Sequence, residues 1–286
     1  MADEKCVVLF SGGLDSRLAV RIMQKKGFEV VAVHFKLPFS KDSEDEIRKF
    51  CDDSNAEIKI FDCAKGKLFK EYLAVIKDAK FGRGAGINPC VDCKIFMFQK
   101  AKKFADAKKI KFIATGEVEG QRPMSQTKKS MSLIEEKSGL RDRIIKPLCE
   151  SGIFGRQRKK QIAFAKKFKI NYPSPAGGCI LCEKELKKRF EFLLNRGMDK
   201  KEAKLVNVGR HFVINDCWVV IGRNEKENKI LESFRKDLIV PDFPAPTALV
   251  LDKPTEKVLK KVNKLIKAYS KQGSLNERKN FEKYKI

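Results

Sequence analysis

Four short, nearly unbroken apolar runs punctuate the first half of the chain: residues 5–10 (KCVVLF), 29–35 (EVVAVHF), 57–63 (EIKIFDC) and 111–116 (KFIATG). Rich in Val and Ile with little polar alternation, they predict strands covered on both faces. Between them lie charged stretches with helical periodicity, predicting helices over 16–26, 43–53, 65–77 and 93–108. Strand–helix alternation at this spacing predicts an α/β domain with a doubly wound parallel sheet. Right-handed crossovers would gather the loops at the strand C-termini along one ligand-binding edge.

The pattern weakens over 127–148, where a short hairpin and a loop are expected. Residues 155–169 predict a basic helix with an apolar stripe of Ile162, Phe164, Ala165 and Phe168. The breaker-rich 172–182 segment (YPSPAGGCILC) reads as a loop. Beyond Arg196 the character changes. Residues 212–214 and 218–221 predict two strands joined by an Asn215–Asp216 turn, and Val258, Leu259, Val262, Leu265, Ile266 and Tyr269 mark an amphipathic helix. The expected division is therefore a domain over 1–196 and a smaller α+β domain over 197–286, ending in a frayed cationic tail.

At 286 residues and 42% hydrophobic content, the chain is large enough to bury a sizeable core. Sixty-two Lys and Arg against 37 Asp and Glu leave a net charge of +25, which favours a polyanionic partner, nucleic acid first. The N-terminal residues carry no long apolar segment and no later stretch would span a bilayer, so a soluble cytoplasmic protein with no membrane partner is expected. Nine cysteines then suggest metal or redox chemistry rather than a disulfide framework.

The hexapeptide Ser11-Gly12-Gly13-Leu14-Asp15-Ser16 follows the first apolar run and opens a helix. Two glycines permit a tight turn whose N–H groups face an anion, and the helix N-terminus adds partial positive charge. Asp15 would repel phosphate unless Mg²⁺ bridges them. The absence of a following Gly-Lys-Ser/Thr argues against a Walker A loop. In this position the hexapeptide resembles the signature of the PP-loop ATP pyrophosphatases, of HUP-like (adenine nucleotide alpha hydrolase-like) fold, which cleave ATP between its α and β phosphates. The resemblance implies that Ser11, Gly12, Gly13, Asp15 and Ser16 hold pyrophosphate and metal, with Asp15 catalytic. It further implies that Val33, His34 and Phe35 lie against adenine, and that Thr115 and Gly116 close the pocket.

Cys90-Val-Asp-Cys93 and Cys179-Ile-Leu-Cys182 are two CxxC pairs in Gly/Pro-rich surroundings. The spacing alone suits a metal centre, a Cys₄ zinc staple or an active dithiol or persulfide carrier. INPCVDCK, together with SLIEEKSGL, IIKPL, GRQRKKQ and YPSPAGGCIL, resembles a thiouridylase-like branch of the same family. That likeness implies a 4Fe–4S cluster on Cys90, Cys93 and Cys179. Cys182 departs from the branch, where a Thr commonly stands, and is expected nearby as a fourth ligand or persulfide donor, with Cys179 and Cys182 as the catalytic thiols. Zn²⁺ is the alternative metal. Cys6, Cys51, Cys63, Cys149 and Cys217 read as small buried hydrophobes.

Arg156, Arg158, Lys159 and Lys160 head an acid-free stretch suited to RNA backbone. A loop over 121–126 is expected above the pocket, with Arg143 and Lys146 approaching the substrate. GRHF at 209–212, IGRNEKEN at 221–228 and PAPTAL at 244–249 resemble the NFACT-R-like domain, implying RNA contacts from Arg210, His211, Arg223 and Asn224. The whole reading is ATP-dependent tRNA uridine thiolation: a carbonyl oxygen is adenylated, then displaced by cluster-bound sulfide or a Cys persulfide from a sulfur donor. A nitrogen-transferring PP-loop ligase with structural zinc, and a non-enzymatic RNA-binding factor, are the alternatives.

Overall fold

The computed structural model describes residues 4–40, 43–81, 84–121, 124–174, 178–234 and 237–286. Arg122, Pro123 and residues 175–177, all in segments singled out above, lie outside these, as do Gly82 and Arg83. The chain divides into two compact units, Met1–Lys184 and Glu185–Ile286.

In the first unit the elements run β1 (Lys5–Leu9), α1 (Leu14–Lys25), β2 (Glu29–Lys36), α2 (Glu44–Asp53), β3 (Glu57–Asp62), α3 (Gly66–Lys77), α4 (Cys90–Ala107), β4 (Phe112–Thr115), α5 (Lys128–Ser138), β5 (Ile144–Ile145), α6 (Pro147–Glu150) and α7 (Lys159–Lys167). The five strands form one sheet in the order β3-β2-β1-β4-β5, all neighbours parallel. Successive residues point to opposite faces. Thus Cys6, Val8, Val30, Ala32 and Ala114 pack with α1, α2 and α7, joined by Leu18, Phe50 and Ala165. On the other face Phe35 stacks on Phe61, whose edge meets Phe104 of α4. Both faces are covered, which explains the unbroken apolar strands.

Strand order reverses at β1. The chain steps outward from β1 through β2 to β3, then returns to place β4 on the other side of β1. Such a switch point opens a crevice beyond the strand C-termini. In register, Leu9 lies beside Thr115, so the loops leaving β1 and β4 start side by side.

Two expectations fail here. Residues 128–138 form α5 rather than a hairpin arm, because Thr127 caps the N-terminus through Ser130 N–H and Gly139 ends it at φ +70°. The following Ile144–Ile145 pairs parallel to β4. On α7 the expected stripe fails at one position: Phe164, Ala165 and Phe168 pack on the core, but Ile162 is exposed while Gln161 is buried.

The second unit contains α8 (Lys187–Arg196), α9 (Lys200–Ala203), β6 (Arg210–Ile214), β7 (Cys217–Ile221), α10 (Glu225–Glu232), β8 (Leu238–Ile239), β9 (Ala248–Val250), α11 (Glu256–Ala268) and α12 (Leu275–Lys279). Its antiparallel sheet has the order β6-β7-β9-β8. Asn215 and Asp216, both at positive φ, make the two-residue turn between β6 and β7. Val258, Val262, Leu265 and Ile266 of α11 pack against Phe212, Ile214, Val219 and Ile221. The division at 184/185 differs from the expected boundary after 196 because α8 packs here: Phe192 meets Trp218, and Arg189 donates to Val206 O. Nor does the tail fray. α12 has a capping box, Phe281 and Tyr284 pack on the unit's core, and Ile286 N–H donates to His211 O.

Candidate functional site

The loop after β1 turns on Gly12, at φ +80°, and α1 begins with Gly13 as N-cap, whose missing side chain caps nothing. Unpaired N–H groups in the first turn of a 12-residue helix make an anion site. Ser16 Oγ donates to Gly13 O at 2.9 Å and receives the Ser11 hydroxyl at 3.2 Å, bracing the curve from inside. Behind it, the buried Arg17 donates Nε–H to Gly12 O and an Nη1–H to Asn171 O, both at 2.7 Å, and lies over Phe50. Burial pushes its guanidinium below the ordinary range. Arg17 escapes a sequence reading because nothing in its spacing separates it from a solvated helix cation.

Gly116 explains how closely the two loops meet. A Cβ there would lie 2.7 Å from Asp15 C, Asp15 O and Ser16 N. Only glycine lets the end of β4 rest on the backbone of the α1 turn. The resulting cleft of about 390 Å³ is lined by Ser11, Gly13, Asp15, Ser16, Val33, His34, Phe35, Thr115 and Gly116, so it gathers every expected nucleotide contact except Gly12. Within it His34 is a wall: its Nδ1–H donates to Phe10 O at 2.9 Å.

Two cations face the cleft. Arg158 lies near Asp15, whose carboxyl is pushed above its usual range by burial, against the opposing pull of Arg158 and Gln121. Asp15 Oδ1 and Arg158 Nε are both buried without a hydrogen-bond partner among the described residues. Lys94 pairs with the buried Glu117, which also receives the Thr115 hydroxyl at 3.2 Å. Glu117 sits two residues past the strand, and only the fold reveals that it meets a lysine 23 positions earlier. Arg143 and Lys146, expected near substrate, are engaged instead by Asp106 and Glu135.

The thiols divide unequally. Cys90 opens α4, and its Sγ lies 3.8 Å from Cys182 Sγ. The Cys182 thiol holds Cys90 below the ordinary thiol range, with Lys94 adding to the effect. Cys182 itself is driven upward by its contacts with Cys179 and Cys90. Cys179 is exposed. Cys93 is buried: its Sγ lies 3.5 Å from Tyr72 Oη, and burial pushes its thiol up to about 12, with Cys179 and Cys90 also raising it. The expected ligand triad of Cys90, Cys93 and Cys179 is not formed as a metal-holding group. Among the described residues, no group of three or more His, Cys, Asp or Glu side chains is placed to hold a metal ion. Cys6, Cys51 and Cys63 are buried, and burial pushes their thiol pKa values up to about 12, 11 and 12.

Lys94 lies one turn along α4 from Cys90. At 5.4 Å per turn, the same helix presents a thiol at its tip and a cation to the cleft.

Of the basic candidates, Arg156, Lys159 and Lys160 are exposed, and Lys160 donates to Gly152 O. In the second unit the side chains expected to reach RNA have other tasks. His211 is fully buried, donating Nε2–H to Val208 O and accepting Trp218 Nε1–H at Nδ1. Arg223 is bidentate on Glu227, Asn224 caps α10, and Arg210 lies over Tyr269. None of the helices described is long and apolar enough to cross a membrane.

Comparison with known proteins covers both units. Residues 1–174 match the family described as thiamine biosynthesis protein (ThiI), and residues 209–282 match the NFACT protein RNA binding domain. The chain is 30% identical over 168 residues to a probable tRNA sulfurtransferase of Thermococcus kodakarensis, covering 57% of this chain and 40% of that one. It is 29% identical over 157 residues to a tRNA-specific 2-thiouridylase MnmA of Nitratiruptor, covering 51% and 46% respectively. The chain thus spans less than half the length of either relative. A solved structure described as a predicted subunit of tRNA methyltransferase, from Methanocaldococcus jannaschii, aligns with 70% of this chain and 91% of its own at 17% identity, with a TM-score of 0.42.

Proposed function

The chain belongs to the ThiI family, and from that premise we propose that it is an ATP-dependent tRNA sulfurtransferase that converts a uridine carbonyl to a thiocarbonyl. The observation that carries this reading is the shared use of α4, which sets the Cys90–Cys182 thiol pair one helical turn from a cation lining the nucleotide cleft. The named activities of the relatives and the match to an RNA-binding domain support tRNA as substrate.

In the first step the uridine carbonyl oxygen attacks the α-phosphorus of ATP, the bond to the bridging oxygen breaks, and pyrophosphate leaves. The N–H groups at the head of α1 would take up its growing charge, with Lys94 and Arg158 facing it. The orphaned Asp15 Oδ1 fits a Mg²⁺ ligand, and the ion when bound would neutralise phosphate charge. The adenylated carbon is then attacked by the terminal sulfur of a persulfide on Cys182, the C–O bond breaks and AMP leaves. The Cys90 thiolate next attacks Cys182 Sγ, its S–S bond breaks, the thiouridine departs with that electron pair, and a Cys90–Cys182 disulfide remains for a thiol reductant. A persulfide carrier supplies the sulfane sulfur, and exposed Cys179 is the first thiol it would meet. Among the described residues no three of these thiols are grouped to hold a metal ion, so no step runs through the expected 4Fe–4S cluster or a zinc site.

The test incubates the protein with an unmodified tRNA transcript, Mg-ATP and a persulfide donor, measuring AMP and thionucleoside by liquid chromatography and mass spectrometry. Equimolar AMP and thiouridine are expected, with both lost in Asp15→Ala. A protein producing neither, with full nucleotide and tRNA occupancy, is not this enzyme.

A further inference from the structure

Residues 151–169 carry seven Lys or Arg and no acid. In their midst stands Phe154, 57% exposed and the only exposed aromatic side chain among the described residues. The other aromatics of this segment, Phe164 and Phe168, are half-buried against the core. A single exposed ring is ordinary by itself; what marks this one is its place in an acid-free basic stretch that also sends Arg158 into the cleft.

The backbone beneath it is firmly held. Ile153 is fully buried and its N–H donates to Leu148 O at 3.0 Å, while Gly152 N–H donates to Cys149 O at 2.9 Å. On the other side Gly155 N–H donates to Glu119 O at 2.8 Å, tying the turn to the loop that leaves β4. Gly152 and Gly155 adopt φ +72° and +76°, so the chain bends sharply on both sides of the ring. Exposed Arg156, Lys159 and Lys160 follow, and four residues after the ring Arg158 enters the nucleotide cleft.

We propose that Phe154 is a stacking platform for an unpaired base of the tRNA beside the nucleotide being modified, with Arg156, Lys159 and Lys160 holding the adjoining phosphates. The chemistry is complementary at each point. A base face prefers an aromatic ring to water, and phosphates on both sides of that base need cations without acids among them. A rigid turn presents the ring with little ordering cost on binding. A base drawn from its stack to reach the cleft leaves its neighbour without a stacking partner, and a ring at the rim would supply one. This inference rests on the thiolation reading and adds to it a named surface and the part of the RNA that meets it.

The test measures binding of a fluorescein-labelled tRNA transcript to the full chain by anisotropy across a salt series. Phe154→Ala should weaken affinity by about 5- to 150-fold, the span that losing one base–aromatic stack implies. Its salt slope should match the wild type, whereas Lys159→Ala/Lys160→Ala should flatten the slope. Phe154→Trp should retain affinity and show fluorescence quenched by RNA. The only native tryptophan, Trp218, is fully buried and supplies a steady background. Because the ring is largely exposed, Phe154→Ala should unfold as the wild type does. Equal affinity of Phe154→Ala and wild type overturns the proposal while leaving thiolation standing, and so does full rescue by Phe154→Leu. A wild type that binds no tRNA overturns both.

Discussion

Replacing Gly116 by alanine puts a methyl group 2.7 Å from Asp15 C, Asp15 O and Ser16 N. All three are backbone atoms at the head of α1, so no side chain can swing aside. Ordinary contact begins at 3.4 Å, and 3.4 − 2.7 requires β4 and the phosphate loop to separate by about 0.7 Å. Overpacking of this kind costs about 1–3 kcal/mol of stability. Its effect on chemistry should be larger, because a displacement near 1 Å at a reacting centre costs about 100-fold in rate. Gly27→Ala provides the comparison. Gly27 has φ +89° and nothing within 4 Å, so a methyl there strains the backbone by about 1–2 kcal/mol without approaching the cleft. The assays are urea denaturation of both variants, calorimetric titration with a non-hydrolysable ATP analogue, and tRNA-dependent AMP release. Comparable destabilisation is expected, with loss of nucleotide affinity and AMP release confined to Gly116→Ala. Wild-type AMP release from Gly116→Ala would refute the claim that backbone proximity shapes the cleft.

His211 supplies a pH prediction. Burial, with Arg189 adding to it, lowers its pKa to about 3, against an ordinary value near 6.5. The unfolded chain therefore takes up a proton that the folded unit refuses. The stability this residue allows is complete above pH ~6.5 and declines toward pH ~3, by about 2 kcal/mol between pH 6.5 and 5. Urea melts followed through Trp218 fluorescence should show that slope, and His211→Gln should flatten it; a slope equal in both would exclude His211 as its source. Brief alkylation near neutral pH should label Cys179 and Cys90 well before Cys93, whose buried thiol stays protonated. Peptide mapping that finds Cys93 modified first would contradict the placement of its sulfur against Tyr72.

Much of the first unit was legible because two local signals coincide there: apolar strands without alternation, and a glycine turn opening a helix. The parallel sheet follows from the first and the anion site from the second. Residues 128–138 misled because Met131 and Ile134 give a weak helical stripe among lysines and glutamates, and capping by Thr127 and Gly139 decides the outcome. The partners of the chemical groups were not legible. Lys94 and Glu117 are distant in sequence, and Tyr72 claims Cys93 from another helix. A CxxC spacing is silent about which sulfur turns inward. In the second unit GRHF and GRN stood out as polar motifs, but their side chains brace a hairpin. Arg223 closes on Glu227, and His211 fixes the Trp218 indole. Polar residues consumed by such internal contacts look, in sequence, the same as residues reserved for a ligand.

A single rod of eighteen residues, α4, carries both the Cys90 thiol and part of the cleft wall. Any tilt or slide of that rod would move the two proposed half-reactions in concert. Natural variants that repack its flank, at Phe96 or Phe104 for instance, should therefore lose activation and sulfur delivery as a correlated pair. Tinkering with the source of sulfur would accordingly be freer on the far side of the thiol pair, around Cys179, than on α4.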